Sequence, residues 1–317
     1  MIFTYVLTGA HGTGKSTLLN ELRSIPGYKF SDSVTRKSGA VLNQEGTDEG
    51  QLKILSAILD YEQANQLYQT DYILDRSFID FYAYTIYLYR RDQVTYETFK
   101  RIKSEFKERL KHYTLVFYLP IEFDIEQDGV RSDDTEFQTE IDEIIRTTLT
   151  DNEVSFIPVT GTVEQRVSDI KQHIPFISHV DNKQAVLNEL GSKGELEEYL
   201  DDDSYVMCHN NTIVSVLSYR KSDRLKISYL YTDQAYRGSR LASRLMDKLL
   251  ADTKGLVVYL YIKEDALPFY RSYGIDKFIM GESIYSGPKP NYFATFLNAD
   301  TLEAIEPDEA ALVRLKC

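Results

Sequence analysis

Eight residues near the start of the chain, Gly9-Ala10-His11-Gly12-Thr13-Gly14-Lys15-Ser16, have the spacing of a loop that wraps phosphate groups. Glycines at 9, 12 and 14 permit a tight backbone path, so that successive N–H groups converge on an anion at a helix N-terminus. Lys15 is placed to reach the β- and γ-phosphates and the Ser16 hydroxyl to hold Mg²⁺, with Thr13 and Thr17 completing the cradle. Further on, Asp75-Arg76-Ser77 offers a carboxylate that can hold Mg²⁺ or take the proton of an attacking hydroxyl, beside a guanidinium that can bind phosphate. A helix cap followed by a surface arginine is the plainer reading of that pair. Arg131, two residues after the hinge-permitting Gly129, can close over a transferring phosphoryl group; a solvated helix start is its alternative. Arg146 is a further candidate of the same kind. His11 sits at a variable position of the loop and is expected to face solvent.

A second anion-binding turn lies far downstream. Arg237-Gly238-Ser239-Arg240-Leu241-Ala242 follows an apolar strand and opens a helix, so its N–H groups can receive a pyrophosphate. Ala266-Leu267-Pro268-Phe269-Tyr270-Arg271-Ser272-Tyr273 then reads as a helix capped by Gly274.

The elements that must position these groups follow from hydrophobic periodicity. The β-branched run Ile2 to Thr8 is a buried strand feeding the first loop, and Thr17 to Leu22 continues as helix. Helices are expected over 51–68, 78–90, 95–111, 137–149 and 163–173, with strands at 71–75, 115–119 and 154–159. This alternation is that of a parallel α/β sheet, and Asp75 falls at a carboxyl end, where such sheets bind ligands. Among the tyrosines at 82, 84, 87 and 89, core packing is favoured over lining an acceptor pocket, with Tyr84 and Leu88 as core. Pro175 and the polar residues 179–183 mark a boundary, giving domains 1–175 and 183–317. Beyond it come strands at 205–208, 212–219 and 225–232, the first two joined at Asn210-Asn211, then a helix over 241–252 and a strand over 256–262. His209, beside that turn, reads as structural.

A length of 317 residues favours two domains, and 43% hydrophobic with 27% charged residues is an ordinary globular composition. Two cysteines make neither a disulfide framework nor a metal cluster, and no segment reads as a signal peptide or membrane span. A soluble cytoplasmic protein with no membrane partner is expected. Net charge −13 disfavours a broad electrostatic footprint on nucleic acid, though not a local basic cleft. Small or CoA-type substrates suit that balance better.

Residues 1–174 resemble the AAA-like small P-loop kinases, which include ribosylnicotinamide kinases and phage nucleotide-kinase-like proteins. The matching pieces are Gly9 to Thr17, Thr35-Arg36-Lys37, Leu74-Asp75-Arg76-Ser77 with Asp80 and Tyr84, Asp128 to Arg131, and Ile157 to Arg166. The resemblance implies ATP and Mg²⁺ as cofactors, Asp75-Arg76 at the acceptor, Arg131 on a lid, and Arg36 near the acceptor site, where it could fork onto a phosphate. It leaves the acceptor open: a nucleoside, a nucleotide, or a modified base in DNA. Residues 183–297 resemble the GNAT acetyltransferases, whose motif is matched by Arg237 and Ala242, while Arg240 replaces the middle glycine and Ile275 stands where phenylalanine is usual. That resemblance implies acetyl-CoA, an amine acceptor, and Tyr270 as the acid that protonates the departing thiolate. Glu264 and Asp265 are candidates for a base by neighbourhood alone.

The expected architecture is therefore α/β, a P-loop parallel-sheet kinase domain followed by an α+β GNAT-like domain. The expected function is a bifunctional transferase with Lys15, Asp75, Arg76, Arg131 and Tyr270 as catalytic groups, placed in phage-type nucleotide or DNA modification. Two rivals remain: an ATP-binding regulator with a degenerate acyl-CoA-sensing domain, and an NTPase that uses water as acceptor.

Overall fold

Strand β1 (Thr4–Thr8) is buried along its whole length, as befits a strand covered by helices on both faces. In this computed structural model the described residues are 2–31, 34–35, 38–40, 43–65, 67, 71–122, 134–190, 199–273, 279–281, 291–297 and 303–304. After β1 come α1 (Lys15–Leu22), β2 (Lys29–Ser31), α2 (Asp48–Ala64), β3 (Tyr72–Asp75), α3 (Phe78–Tyr89), α4 (Tyr96–Leu110), β4 (Leu115–Tyr118), α5 (Thr135–Asp151), β5 (Phe156–Pro158) and α6 (Val163–His173). The strands form a five-stranded sheet in the order β2-β3-β1-β4-β5, and every pairing is parallel. β3 and β4 flank β1, so the order reverses beside it, and sheets of this kind bind ligands outside the carboxyl ends of the strands at such a point.

Side-chain caps set where the helices begin. Thr47, Ser77, Thr95, Asp134 and Thr162 each accept from a backbone N–H of the helix they precede, each worth about 1 kcal/mol. Ser77 and Asp80 form a reciprocal capping box, so only two residues separate β3 from α3 and the chain turns sharply at Arg76. α3 packs on α4 through Tyr82, whose ring stacks on Phe106 with centroids 4.3 Å apart. Against α5, Tyr87 meets Phe137 edge-on at 4.7 Å.

The chain divides into two compact units, residues 1–174 and 175–317. The second holds β6 (Phe176–Val180), α7 (Lys183–Leu190), β7 (Asp203–His209), β8 (Thr212–Lys221), β9 (Leu225–Thr232), α8 (Leu241–Asp252), β10 (Val257–Lys263), α9 (Leu267–Arg271), β11 (Ile279–Gly281), β12 (Asn291–Leu297) and β13 (Glu303–Ala304). Its sheet runs β11-β12-β10-β9-β8-β7-β6, with β13 on β12. Asn210 and Asn211, at φ 50° and 57°, turn β7 into β8, the two-residue hairpin that this pair of residues favours. The stretch after Pro175, expected as a polar boundary, is strand: β6 pairs antiparallel with β7 from Phe176 to Val180. Its polar Ser178 and His179 suit a sheet edge, which is why the run does not read as core.

β9 and β10 pair parallel through Leu225–Ile227 and Val258–Leu260, yet β9 continues to Thr232 and β10 to Lys263. Beyond Ile227 each strand is held by its other neighbour instead, β9 by β8 and β10 by β12. The second anion-binding turn follows the end of β9 that has parted from β10.

Candidate functional sites

The loop at Gly9 leaves β1 by a path that excludes side chains. Gly9 has φ 152°, and a Cβ there would stand 2.4 Å from the Leu119 carbonyl oxygen. Gly14, at φ 83°, turns the chain into α1, a left-handed conformation that costs other residues strain. Lys15 is 5% exposed and folds over the loop, donating from Nζ to the carbonyls of Gly9 at 2.6 Å and Ala10 at 2.5 Å. A third contact reaches Thr13 Oγ1 at 3.2 Å. Neutral carbonyls are weaker partners for an ammonium than phosphate oxygens, so the geometry leaves Lys15 with a stronger partner to gain. Gly12 and Gly14 are half-buried beside it, while Ser16 and Thr17 are exposed at the head of α1.

Asp75 is brought to this loop by the β1–β3 pairing, which sets Leu7 opposite it. The Ser16 hydroxyl donates to Asp75 Oδ2 at 2.7 Å. The other carboxylate oxygen, Oδ1, is buried without a hydrogen-bond partner among the described residues, an arrangement that costs stability unless a ligand completes it. A hydroxyl next to an orphaned carboxylate oxygen is a donor set that fits Mg²⁺, which takes few protein ligands and keeps water and phosphate oxygens. No group of three or more His, Cys, Asp or Glu side chains suited to a metal occurs among the described residues.

Arg76 sits at φ 64°, an arginine in the left-handed region at the turn out of β3. Its side chain bonds the Tyr84 hydroxyl; burial pulls the guanidinium pKa down, and Tyr84, Asp80 and Asp75 outweigh that pull and hold it above its ordinary value. Tyr84 also meets His11 Nδ1 at 3.1 Å. His11 is 3% exposed, which corrects the expectation that it faces solvent. Its ring lies 5.2 Å from that of Phe137, and its carbonyl accepts from Gln138 Nε2 at 2.6 Å. Of the tyrosines, Tyr82, Tyr87 and the neighbouring Leu88 are core, whereas Tyr84 is half-buried with its hydroxyl in this polar network.

Asp80 is a site residue that the motifs did not single out for a role. It is 2% exposed and accepts from Thr8 Oγ1 at 3.1 Å, the Gly9 N–H at 3.2 Å and the Ser77 N–H at 2.9 Å. Burial holds its carboxyl above the ordinary range, against the opposing pull of Lys15 and Arg76. Its visible signals are the Ser77-x-x-Asp80 capping spacing and its place among the residues that carry the resemblance to small P-loop kinases. On α5, Asp142 takes the Tyr118 hydroxyl on both oxygens at 2.7 Å. Arg146 reaches Asp142 at 3.3 Å with its side chain 57% exposed, so the described contact of Arg146 is an ion pair along its own helix. Arg36, Arg131 and Gly129 lie outside the described residues.

In the second unit, Arg240 caps α8 at φ 61° and ψ 15°. This left-handed conformation, which a glycine takes freely, costs the arginine about 1–2 kcal/mol. Gly238, at φ 80°, supplies the other left-handed residue. Ser239 is buried and donates to the Tyr236 carbonyl; Leu241 anchors the helix in the core, and Ala242 is half-buried. Arg237 is exposed, its Nε 3.4 Å from the Thr232 carbonyl. No side chain caps α8, so its first N–H groups look outward for an acceptor. His209 Nδ1 meets the Tyr236 hydroxyl at 2.9 Å, a contact between hairpin and turn. Tyr270 is 5% exposed, packs edge-on to Phe269 at 5.0 Å, and burial pushes its phenol up. Asp265 is exposed; the Glu264 side chain and Gly274 lie outside the described residues. No helix among the described residues is long and apolar enough to cross a membrane.

Against known proteins, residues 4–166 match the model of the AAA domain and residues 176–275 that of the acetyltransferase (GNAT) family. Among solved structures, the NadR protein in complex with NR is 17% identical over 53% of this chain and 50% of its own, at a TM-score of 0.43. Deoxyadenosine kinase from M. mycoides is 16% identical over 53% of this chain and 96% of its own, at 0.41. Naa50 of Arabidopsis thaliana, in complex with a bisubstrate analogue, is 18% identical over 38% of this chain and 97% of its own, at 0.31. No curated protein matches the chain. The match over residues 4–166 takes in more than half of the chain and places it in the AAA-domain family, with a match to the acetyltransferase (GNAT) family in the second unit.

Proposed function

We propose that the first unit transfers the γ-phosphoryl group of ATP to a hydroxyl or phosphate of a nucleoside-like acceptor. The observation that carries this reading is Asp75: its Oδ2 is held by Ser16, and its Oδ1 is buried beside a phosphate loop with no hydrogen-bond partner among the described residues. Ser16 and Asp75 would hold Mg²⁺, which neutralises charge on the phosphates when bound. Lys15 would release the loop carbonyls for the phosphates, and Arg76, fixed by Tyr84, would face the acceptor. Arg36 and Arg131 belong to the same reading, as acceptor ligand and lid clamp. Net charge −13 favours a free nucleoside or nucleotide over a modified base in DNA.

In the second unit, the uncapped start of α8 and the parted strands β9 and β10 support binding of acetyl-CoA and acetyl transfer to an amine, with Arg237 to Ala242 around the pyrophosphate. Two group-transfer domains in one chain fit a pathway that modifies nucleotides or DNA bases, such as those of phages. One observation favours a second reading of this half, as an acyl-CoA sensor. The burial that raises the Tyr270 phenol works against its giving up a proton. Incubating the full chain with Mg-ATP and acetyl-CoA against panels of nucleosides, nucleotides, modified DNA and amines tests both halves by mass spectrometry. CoA binding without acetylated product selects the sensor, and ATP hydrolysis indifferent to every acceptor sinks the kinase reading.

A further inference from the structure

We propose that Arg166 is a positioning residue for the nucleotide, holding the phosphate loop in its binding shape from beneath. The proposal rests on the first unit binding a nucleoside triphosphate. Arg166 stands on α6, 153 residues from the loop in sequence, yet its Nη1 donates to the Thr13 carbonyl at 2.8 Å. It is 2% exposed. Nε donates to the Gly161 carbonyl at 3.0 Å, and Nη2 meets Glu122 Oε2 at 2.6 Å. Glu122 Oε2 also accepts from the Gly161 N–H at 3.0 Å, so the guanidinium and its counter-charge are locked into one frame.

The contact with Thr13 has a consequence through the peptide bond. The Thr13 carbonyl and the Gly14 N–H belong to one planar trans peptide and point in opposite directions. By fixing that carbonyl on its own side, Arg166 turns the Gly14 N–H to the other, the side on which the loop receives phosphate. The packing agrees: a Cβ at Gly14 would lie 3.4 Å from Nη1, so the guanidinium lies directly against the turn into α1. A guanidinium suits this task better than an ammonium, because its rigid fork serves three acceptors in different directions. Packing alone gives no reason to bury a cation here, since an apolar side chain fills space without the desolvation cost.

The test is calorimetric titration of the full chain with Mg-ATP and, separately, with inorganic tripolyphosphate, comparing wild type with Arg166→Gln. Loss of a charge-assisted bond predicts about tenfold weaker binding of both ligands, by similar factors, at temperatures where the variant is folded by circular dichroism. Arg166→Lys keeps the charge without the fork and is expected to lose affinity severalfold, which keeps the test available should the glutamine variant not fold. A merely structural arginine would lower the melting temperature and leave the affinity of the folded variants unchanged, and that result overturns the proposal. Wild-type protein that binds neither ligand overturns the triphosphate reading itself, and this proposal with it.

Discussion

The Ser16 hydroxyl, at the head of α1, donates to Asp75 Oδ2 at the end of β3 across 2.7 Å, joining residues 59 apart in sequence. The bond orients one carboxylate oxygen and leaves Oδ1 buried without a partner among the described residues. A hydroxyl and a carboxylate so arranged at the mouth of a phosphate loop are the centre of the functional account.

Asp75→Asn keeps the size of the side chain and can still accept from Ser16, but it removes the charge that a metal or an attacking hydroxyl needs. Phosphoryl transfer is expected to fall by about 10²–10⁴-fold, with the melting temperature within a few degrees of wild type. Steady-state kinetics beside a thermal melt separate the two effects. Activity within a factor of three of wild type would remove Asp75 from the chemistry.

Tyr84 joins Arg76, proposed to face the acceptor, to His11 in the phosphate loop. Tyr84→Phe leaves both partners short of one hydrogen bond, a loss of about 1–2 kcal/mol. The acceptor KM is expected to rise with little change in ATP affinity, since Lys15 and the loop N–H groups are untouched. A rise confined to the ATP KM contradicts this placement of Arg76.

Asp80 makes the stability of the first unit depend on pH with a definite sign. Burial raises its folded pKa above the ordinary value of 3.8, so the folded state holds the proton more tightly than the unfolded chain. Stability from this group is fully present below that value and is lost as pH rises through the folded pKa. Asp80→Asn is expected to flatten this part of the stability profile, measured by urea melts from about pH 4 upward. Parallel profiles for the two proteins would refute it.

Arg240 tests the second anion-binding turn. Arg240→Gly fits φ 61° without a side-chain penalty, and CoA binding is expected to stay within a few-fold of wild type. Arg240→Val places a β-branched side chain in the left-handed region, where it is more strongly disfavoured than the unbranched arginine, and is expected to weaken CoA binding and lower the melting temperature of the second unit. Equal behaviour of the two variants would show that the turn geometry does not govern binding.

The phosphate loop was readable in the sequence because its chemistry is contiguous: strand, glycines, Lys15 and Ser16 follow one another without interruption. Asp75 was readable for a related reason, as a carboxylate ending an apolar run. His11 and Arg166 were not, because their settings are made by residues far away. His11 is buried by α5, whose Gln138 is 127 residues distant, and Arg166 reaches across the first unit to Thr13. Arg240 stands in place of a glycine, and sequence does not reveal that the fold holds this arginine left-handed. Strand β6 escaped because a short edge strand with polar members has the same pattern as a linker.

The central claim is transfer of phosphate to an acceptor rather than to water. It is tested most directly by giving the purified chain Mg-ATP labelled in the γ-phosphate, with a panel of nucleosides and nucleotides, beside the Asp75→Asn variant. The account predicts label in a phosphorylated acceptor, ADP formation that depends on that acceptor, and loss of both in the variant. Label released only as inorganic phosphate, at a rate no acceptor changes, would contradict it.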